Sequence, residues 1–187
     1  MRNKVSSERA LFLVDGSNFY HSLQGAGISK GDLDFKKLSI EIAKGRQIIA
    51  IEFFSAPVQP PGTEEAKAQQ RFFSNLRKNG VRVKLGRLAP RSRTCPRCKF
   101  REQYRLEKGV DVGIAISLVI GAVENTFDVV YLLTNDSDFA PAVDFARKSG
   151  KKVFQVAPKG SKHEALGKSC DTTIFVDQSV VNLCQAF

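Results

Sequence analysis

The sequence predicts a doubly wound α/β fold, a mainly parallel sheet flanked by helices. Short apolar, β-branched runs alternate along the chain with helix-period segments. Asp, Thr and Gly residues stand where those helices should start and stop. No apolar run approaches the roughly 20 residues needed to span a bilayer. A chain of 187 residues is long enough for one sizeable core and short for two, so residues 1–187 are expected to form one domain.

Residues 11–15 (LFLVD) read as a first, fully buried strand. A helix over 35–44 follows, with Asp34 as its N-cap and Gly45 just past its end. Residues 47–55 form the second strand. Thr63 can cap a helix whose first turn holds Glu64 and Glu65, and Asn79-Gly80 stops it. Residues 81–88 alternate as a third, half-exposed strand. The stretch 89–107 lacks a clear period and is expected to be a long loop or insertion. Residues 110–123 are apolar nearly all round, which predicts a buried helix. A strand over 128–134, a helix over 141–149 closed by Gly150, a strand over 152–156 and a short helix over 164–168 come next. A sixth, edge strand over 173–176 precedes a C-terminal helix.

The net charge of +10 suggests a polyanionic partner, and its distribution is more telling than its total. Between residues 67 and 108 fourteen Lys and Arg face only Glu102 and Glu107, a local balance of +12 that leaves the rest of the chain at −2. A block this one-sided reads as a phosphate-binding surface rather than a solubilising face. The N-terminal stretch runs into a strand-like segment containing Asp15 rather than a signal-peptide pattern, and four cysteines are sparse for a secreted disulfide framework. A cytoplasmic protein is expected, with no membrane partner.

In an open parallel sheet, ligands bind outside the carboxyl ends of the strands, where strand order reverses. Asp15 closes the first strand, Asp136 and Asp138 follow the fourth, and Asp111 opens the buried helix that begins at the same edge. Right-handed βαβ connections therefore bring four carboxylates to one rim. Singly, each also suits a helix cap or an Asx-turn. Together they repel one another unless a cation lies among them, and Mg²⁺ or Mn²⁺ takes oxygen donors of this kind. Such an ion activates water and orients a scissile phosphate. With only His21 and His163 in the chain, a histidine-pair mechanism is not expected.

The blocks VDGSN (14–18), EKGVDVGIA (107–115) and LLTNDSDFAPAV (132–143) resemble, in this order, the signatures of NYN domains, PIN-like nucleases that include the LabA-like proteins. The likeness runs from about Leu11 to Val176, and the third block is its most specific part. It implies a Rossmann-like PIN fold and a ribonuclease dependent on Mg²⁺ or Mn²⁺. It casts Asp15, Asp111 and Asp136 as the metal-binding core and Asp138 as a further ligand or water-positioning base. Asn18 would orient the first carboxylate or a phosphate, and the Thr134 hydroxyl would bond to a carboxylate. Many relatives carry a second carboxylate along the helix, where this chain continues Gly113-Ile114-Ala115-Ile116-Ser117. That departure implies one firmly held metal and a second recruited with substrate.

Cys95-Pro96-Arg97-Cys98 has the spacing of a zinc knuckle, but tetrahedral Zn²⁺ needs two more ligands. Cys170, Cys184, His21, His163 or the same pair from a second subunit in a homodimer are the candidates. The alternatives are free thiols or a pair prone to oxidation. Around the pair, Arg91, Arg93, Arg97, Lys99, Arg101, Arg105 and Lys108 are interleaved with Phe100 and Tyr104, a mixture suited to single-stranded RNA. His21 is expected on a helix surface.

The function expected is therefore metal-dependent hydrolysis of RNA phosphodiester bonds. One alternative is a catalytically weak RNA-binding regulatory module with the same fold. Another is a small-phosphoester hydrolase, against which stands the lack of an Asp-x-Asp at the first strand, where Gly16 and Ser17 follow Asp15.

Overall fold

A computed structural model describes residues 6–29, 31, 33–58 and 61–185; the remainder of the expected 1–187 span lies outside the described residues. The elements in order are β1 (Ser6–Asp15), α1 (Gly16–Gly25), α2 (Phe35–Ala43), β2 (Arg46–Ser55), α3 (Glu64–Lys78), β3 (Arg82–Leu85), β4 (Arg87–Thr94) and β5 (Arg101–Lys108). Then come α4 (Val110–Val123), β6 (Val129–Leu133), a 3-10 turn (Ser137–Phe139), α5 (Ala140–Lys148), β7 (Lys152–Pro158), α6 (Glu164–Gly167), β8 (Thr172–Val176) and α7 (Gln178–Leu183). Six strands form one parallel sheet in the order β3-β2-β1-β6-β7-β8. The chain runs outward from β1 to β3, returns through α4, and runs outward again from β6. The strand order thus reverses between β1 and β6, as in a Rossmann-like sheet.

Strand alternation sorts the core into two layers. Ala10, Phe12 and Val14 of β1, with Tyr131 and Leu133 of β6, face α1, α2 and α3. Phe12 and Tyr131 stack across the strands with ring centroids 4.4 Å apart. Leu11 and Leu13, with Val130 and Leu132, face α4, α5 and Leu166 of α6. By the same parity Asp15 and Thr134 continue the second set, toward the layer that holds α4.

The expected helices at 35–44, 64–78 and 141–149 and the expected strands appear with end shifts of a few residues. Asp34 and Thr63 cap α2 and α3 through their side chains. Three features differ from expectation. Residues 16–25 form a helix, α1, that begins directly at the end of β1 with no intervening loop. Gly16 permits this, because a Cβ there would collide with the Phe53 ring and come within 3.0 Å of the Phe54 carbonyl.

The stretch 89–107 is not a loop. β4 and β5 pair antiparallel from Arg87↔Lys108 to Thr94↔Arg101 as a separate two-stranded ribbon. A ribbon with neither face fully covered has no apolar alternation to read, which is why periodicity missed it. Its root is tight. A Cβ on Gly86 would lie 2.6 Å from the Lys108 carbonyl oxygen, and Gly109 turns the chain into α4 at φ 86°.

α4 is buried along only one stripe: Val110, Ile114, Leu118 and Ala122 meet the sheet. Val112, Ile116, Ile120 and Val123 stay exposed, 49–66% of each. The expectation of a helix buried all round is thereby corrected, because α4 has the sheet on one side and α5 on another but nothing described over its third. Among the described residues no helix is long and apolar enough to cross a membrane.

Candidate active site

The carboxyl ends of β1 and β6 lie side by side at the point where strand order reverses. Asp15, 4% exposed, caps α1: its Oδ1 accepts the Asn18 N–H at 3.1 Å. Its Oδ2 accepts the Thr134 hydroxyl at 3.3 Å, from a residue 119 positions away. The same hydroxyl oxygen accepts the Asp136 N–H at 3.2 Å. Thr134 therefore ties the two carboxylate-bearing segments together. Asp136 Oδ1 in turn accepts the Asp138 N–H at 2.9 Å and caps the 3-10 turn.

Asn18 does something that its sequence position did not suggest. Its side-chain oxygen accepts the Asn135 N–H at 2.9 Å and the Ser22 hydroxyl at 3.4 Å, so it holds the loop after β6 against α1. Asn135, which sequence reasoning passed over, donates to Ser22 (3.1 Å) and Ser161 (2.9 Å). Gln155 of β7, fully buried, donates to the Thr134 carbonyl (3.2 Å) and to Asn135 Oδ1 (3.1 Å), and accepts from Thr173 (3.1 Å). The available signal was a glutamine inside the apolar run KVFQVAP, since buried polar groups are rare unless paired. This network makes the floor under the aspartates rigid.

The electrostatics report the proximity of the four carboxylates. Burial pushes Asp15 up to about 6, and the charges of Asp111 and Asp136 push the same way against the Asn18 and Thr134 hydrogen bonds. Asp111, in the first turn of α4, is raised by burial and then by the charges of Asp136 and Asp138. None of the ion pairs formed among the described residues includes any of the four. The donor set is all oxygen, anionic and, among the described residues, without an ion-paired basic partner, which is the chemistry that a hard divalent cation fits. As the side chains stand, no group of three or more His, Cys, Asp or Glu able to hold a metal is present among the described residues.

The Asp15 shift has a consequence for stability. Below pH 3.8 the carboxyl is neutral whether the chain is folded or unfolded; above about 6 it is ionised in both, and the folded state carries the cost of a buried charge. Stability should therefore fall as pH rises through this window in cation-free protein. Asp15→Asn should remove the fall and stabilise the protein above pH 6 by on the order of 3 kcal/mol. Urea unfolding in chelator on either side of that pH checks this; equal stability of the two proteins above it would show that no charge is buried at Asp15.

Beside the rim opens a cleft of about 960 Å³ between α1, α3 and the hairpin root. Ser17, Tyr20, His21, Gln24, Gln69 and Phe72 line it, with Leu88 and Glu107 of the hairpin. His21 is exposed on α1 and also lines this cleft. Register and alternation divide the basic side chains of the arm. Arg87, Arg91, Arg93 and Lys108 share one face with Tyr104. Arg101 and Arg105 share the other with Leu88 and Glu107, hence the cleft side. A groove of about 460 Å³ along the arm is bordered by Pro90, Ser92, Arg101, Gln103 and Arg105 of that side, and Arg91 and Tyr104 reach it from the other. Arg97 and Lys99 lie in the tip.

The four cysteines fall in different surroundings. Cys95 and Cys98 are free thiols at the tip, and hydrogen bonds from the Cys98 and Arg97 N–H groups hold the Cys95 thiol below its ordinary range. Cys170 is buried and pushed up to about 12 by burial; Cys184 is buried and raised for the same reason. His163 sits edge-on to Phe175 at 4.8 Å with Nδ1 2.9 Å from the Ser161 carbonyl. Cys95 and Cys98 are thus not joined by these residues in a three-ligand group.

A strand-order reversal, a capped aspartate and further carboxylates at the carboxyl edge of a six-stranded parallel sheet define a Rossmann-like α/β protein with an acidic rim. Residues 9–177 match the model of the NYN domain, and the chain belongs to that family, a PIN-like nuclease family. Among solved structures it is similar to a protein of unknown function from Vibrio parahaemolyticus, at 20% identity and a TM-score of 0.67, covering 95% of this chain and 97% of that one. A universal stress protein family member from Burkholderia pseudomallei matches at 15% identity over 80% of this chain and 96% of that one, with a TM-score of 0.30. The first likeness shows a shared fold; the second supports nothing further. A search of curated proteins finds no match.

Proposed function

We propose that the chain is a cytoplasmic, Mg²⁺- or Mn²⁺-dependent ribonuclease that hydrolyses single-stranded RNA at the rim formed by Asp15, Asp111, Asp136 and Asp138. The observation that carries the reading is the mutual charge of these carboxylates at the switch point, with no Lys or Arg ion-paired to them among the described residues. Asp15, Asp111 and Asp136 would hold the cation, with Asp138 beside them. Mg²⁺ commonly takes one or two carboxylates and completes its shell with water and substrate phosphate, so a preformed cage of three is not required. When bound, the ion would supply water activation and charge neutralisation at the scissile phosphate.

The protein's own residues have separable tasks. Thr134 and the Asn18–Asn135–Gln155 network fix where the carboxylates stand. Asp138, exposed at the rim, would serve as the further ligand or water-positioning base. The cleft beside Ser17 is wide enough for an unstacked base, with Tyr20 and Phe72 in its wall, and duplex RNA offers no such base. Arg101 and Arg105 continue from the cleft along the arm as a track for the phosphate backbone.

A second reading keeps the RNA and gives up the turnover. It is favoured by the absence, among the described residues, of a three-carboxylate metal group as the side chains stand and by the lack of a second carboxylate along α4. Incubating the purified chain with labelled single-stranded RNA in Mn²⁺, in Mg²⁺ and in chelator separates the two. Cleavage that needs the cation is expected; tight binding without cleavage under any condition would establish the binding module.

A further inference from the structure

The tip of the hairpin has the build of half a metal site. The Cys95 N–H donates to the Phe100 carbonyl at 2.8 Å, the Lys99 N–H donates to the Cys95 carbonyl at 2.9 Å, and Lys99 takes a left-handed φ of 56°. These contacts close residues 95–100 into a tight knuckle. The knuckle carries Cys95 and Cys98, both free thiols, with Cys98 exposed at its surface. The Cys-x-x-Cys spacing is that of zinc ligands.

Among the described residues the chain does not complete the site. Cys170 and Cys184 are buried in the main core, His163 is held against Phe175, and His21 lies at the cleft. We propose that one Zn²⁺ joins two copies of this chain tip to tip, each supplying Cys95 and Cys98 to a single tetrahedral four-thiolate centre. Identical half-sites meet most simply on a two-fold axis, here one that passes through the ion. The hairpin is a ribbon apart from the main sheet and its distal part is exposed, so the approach is open.

Charge decides the partner chemistry. Arg93, Arg97, Lys99 and Arg101 surround each tip, and two such tips repel. Binding releases the four thiol protons to solvent, and the resulting Zn(Cys)₄ core carries a formal charge of −2 that offsets the surrounding cations. Phe100, 68% exposed beside the knuckle, gives each copy an apolar side chain for the junction to cover. This inference stands apart from the chemistry of the acidic rim.

The test uses the full chain, reduced, loaded with Zn²⁺ and freed of excess metal by gel filtration. Elemental analysis with light scattering should find one zinc for every two chains in a dimer, and a strong chelator should return zinc-free monomer. Co²⁺ in place of Zn²⁺ should give the visible spectrum of a tetrahedral tetrathiolate. Cys95→Ser/Cys98→Ser should lose both the metal and the dimer while keeping the wild-type circular dichroism and melting temperature. If that variant folds poorly, the chelator arm on the unaltered chain decides. One zinc per monomer, a dimer that survives chelation, or reduced protein that retains no zinc would each overturn the proposal.

Discussion

Replacing Asp136 with Asn is expected to abolish RNA cleavage while leaving the fold and the grip on RNA intact. Asp136 is half-exposed, and its structural task is to accept the Asp138 N–H through Oδ1, which an asparagine oxygen performs equally well. The Thr134 contact to residue 136 goes through the backbone and survives any side chain. What the substitution removes is one negative charge from the field shared with Asp15 and Asp111. Loss of one such group from a hydrolytic centre costs about a hundredfold or more in rate. The metal-free variant should be at least as stable as wild type, because a like-charge neighbour is gone. Single-turnover cleavage and thermal melts on the same preparation check both halves. Cleavage at the wild-type rate would exclude Asp136 from the chemistry.

The second large effect expected is on binding, and it separates the two faces of the hairpin. Arg101 and Arg105 lie on the cleft side and border the arm's groove; Arg87 and Arg93 lie on the opposite face and do not border it. Each phosphate neutralised on a single strand adds roughly 0.7 to the slope of log affinity against log salt. Arg101→Ala/Arg105→Ala should therefore flatten that slope by about 1.4 units, with a similar loss across unrelated RNA sequences. Arg87→Ala/Arg93→Ala should change it much less. Single-turnover rates at saturating RNA should stay near wild type for both pairs, because neither touches the acidic rim. Anisotropy over a salt series gives the slopes. Equal slopes for all three proteins would show that the arm faces away from the RNA and that its charge serves another purpose.

The family signatures, the alternation of elements and the aspartates at strand and helix ends were legible in the sequence because they are local. A strand's apolar run, a cap such as Asp34 or Thr63 and a stop such as Asn79-Gly80 each act within a turn or two of chain. Strand ends and helix starts share one edge of a parallel sheet, so Asp15, Asp111 and Asp136 could be placed on a common rim before any coordinates. The hairpin escaped the same reasoning, because a ribbon with little buried surface leaves no periodic trace. The exposed stripe of α4 escaped it too: composition records how apolar a helix is, not how many sides are covered.

Tertiary structure alone decided how the rim is held. Thr134 reaches Asp15, and Asn135 reaches Asn18, across 119 and 117 residues of sequence. Those bonds exist because β1 and β6 are neighbours in register. Gln155 enters the network only because β7 lies next to β6. Strand parity then turns Asp15 and Thr134 toward the α4 layer, where Asp111 begins. Sequence by itself determined which residue types stand at the ends of which elements. The order and register of the sheet determined which of them meet, since hydrogen bonds form between neighbours in space and periodicity along a chain does not encode that neighbourhood.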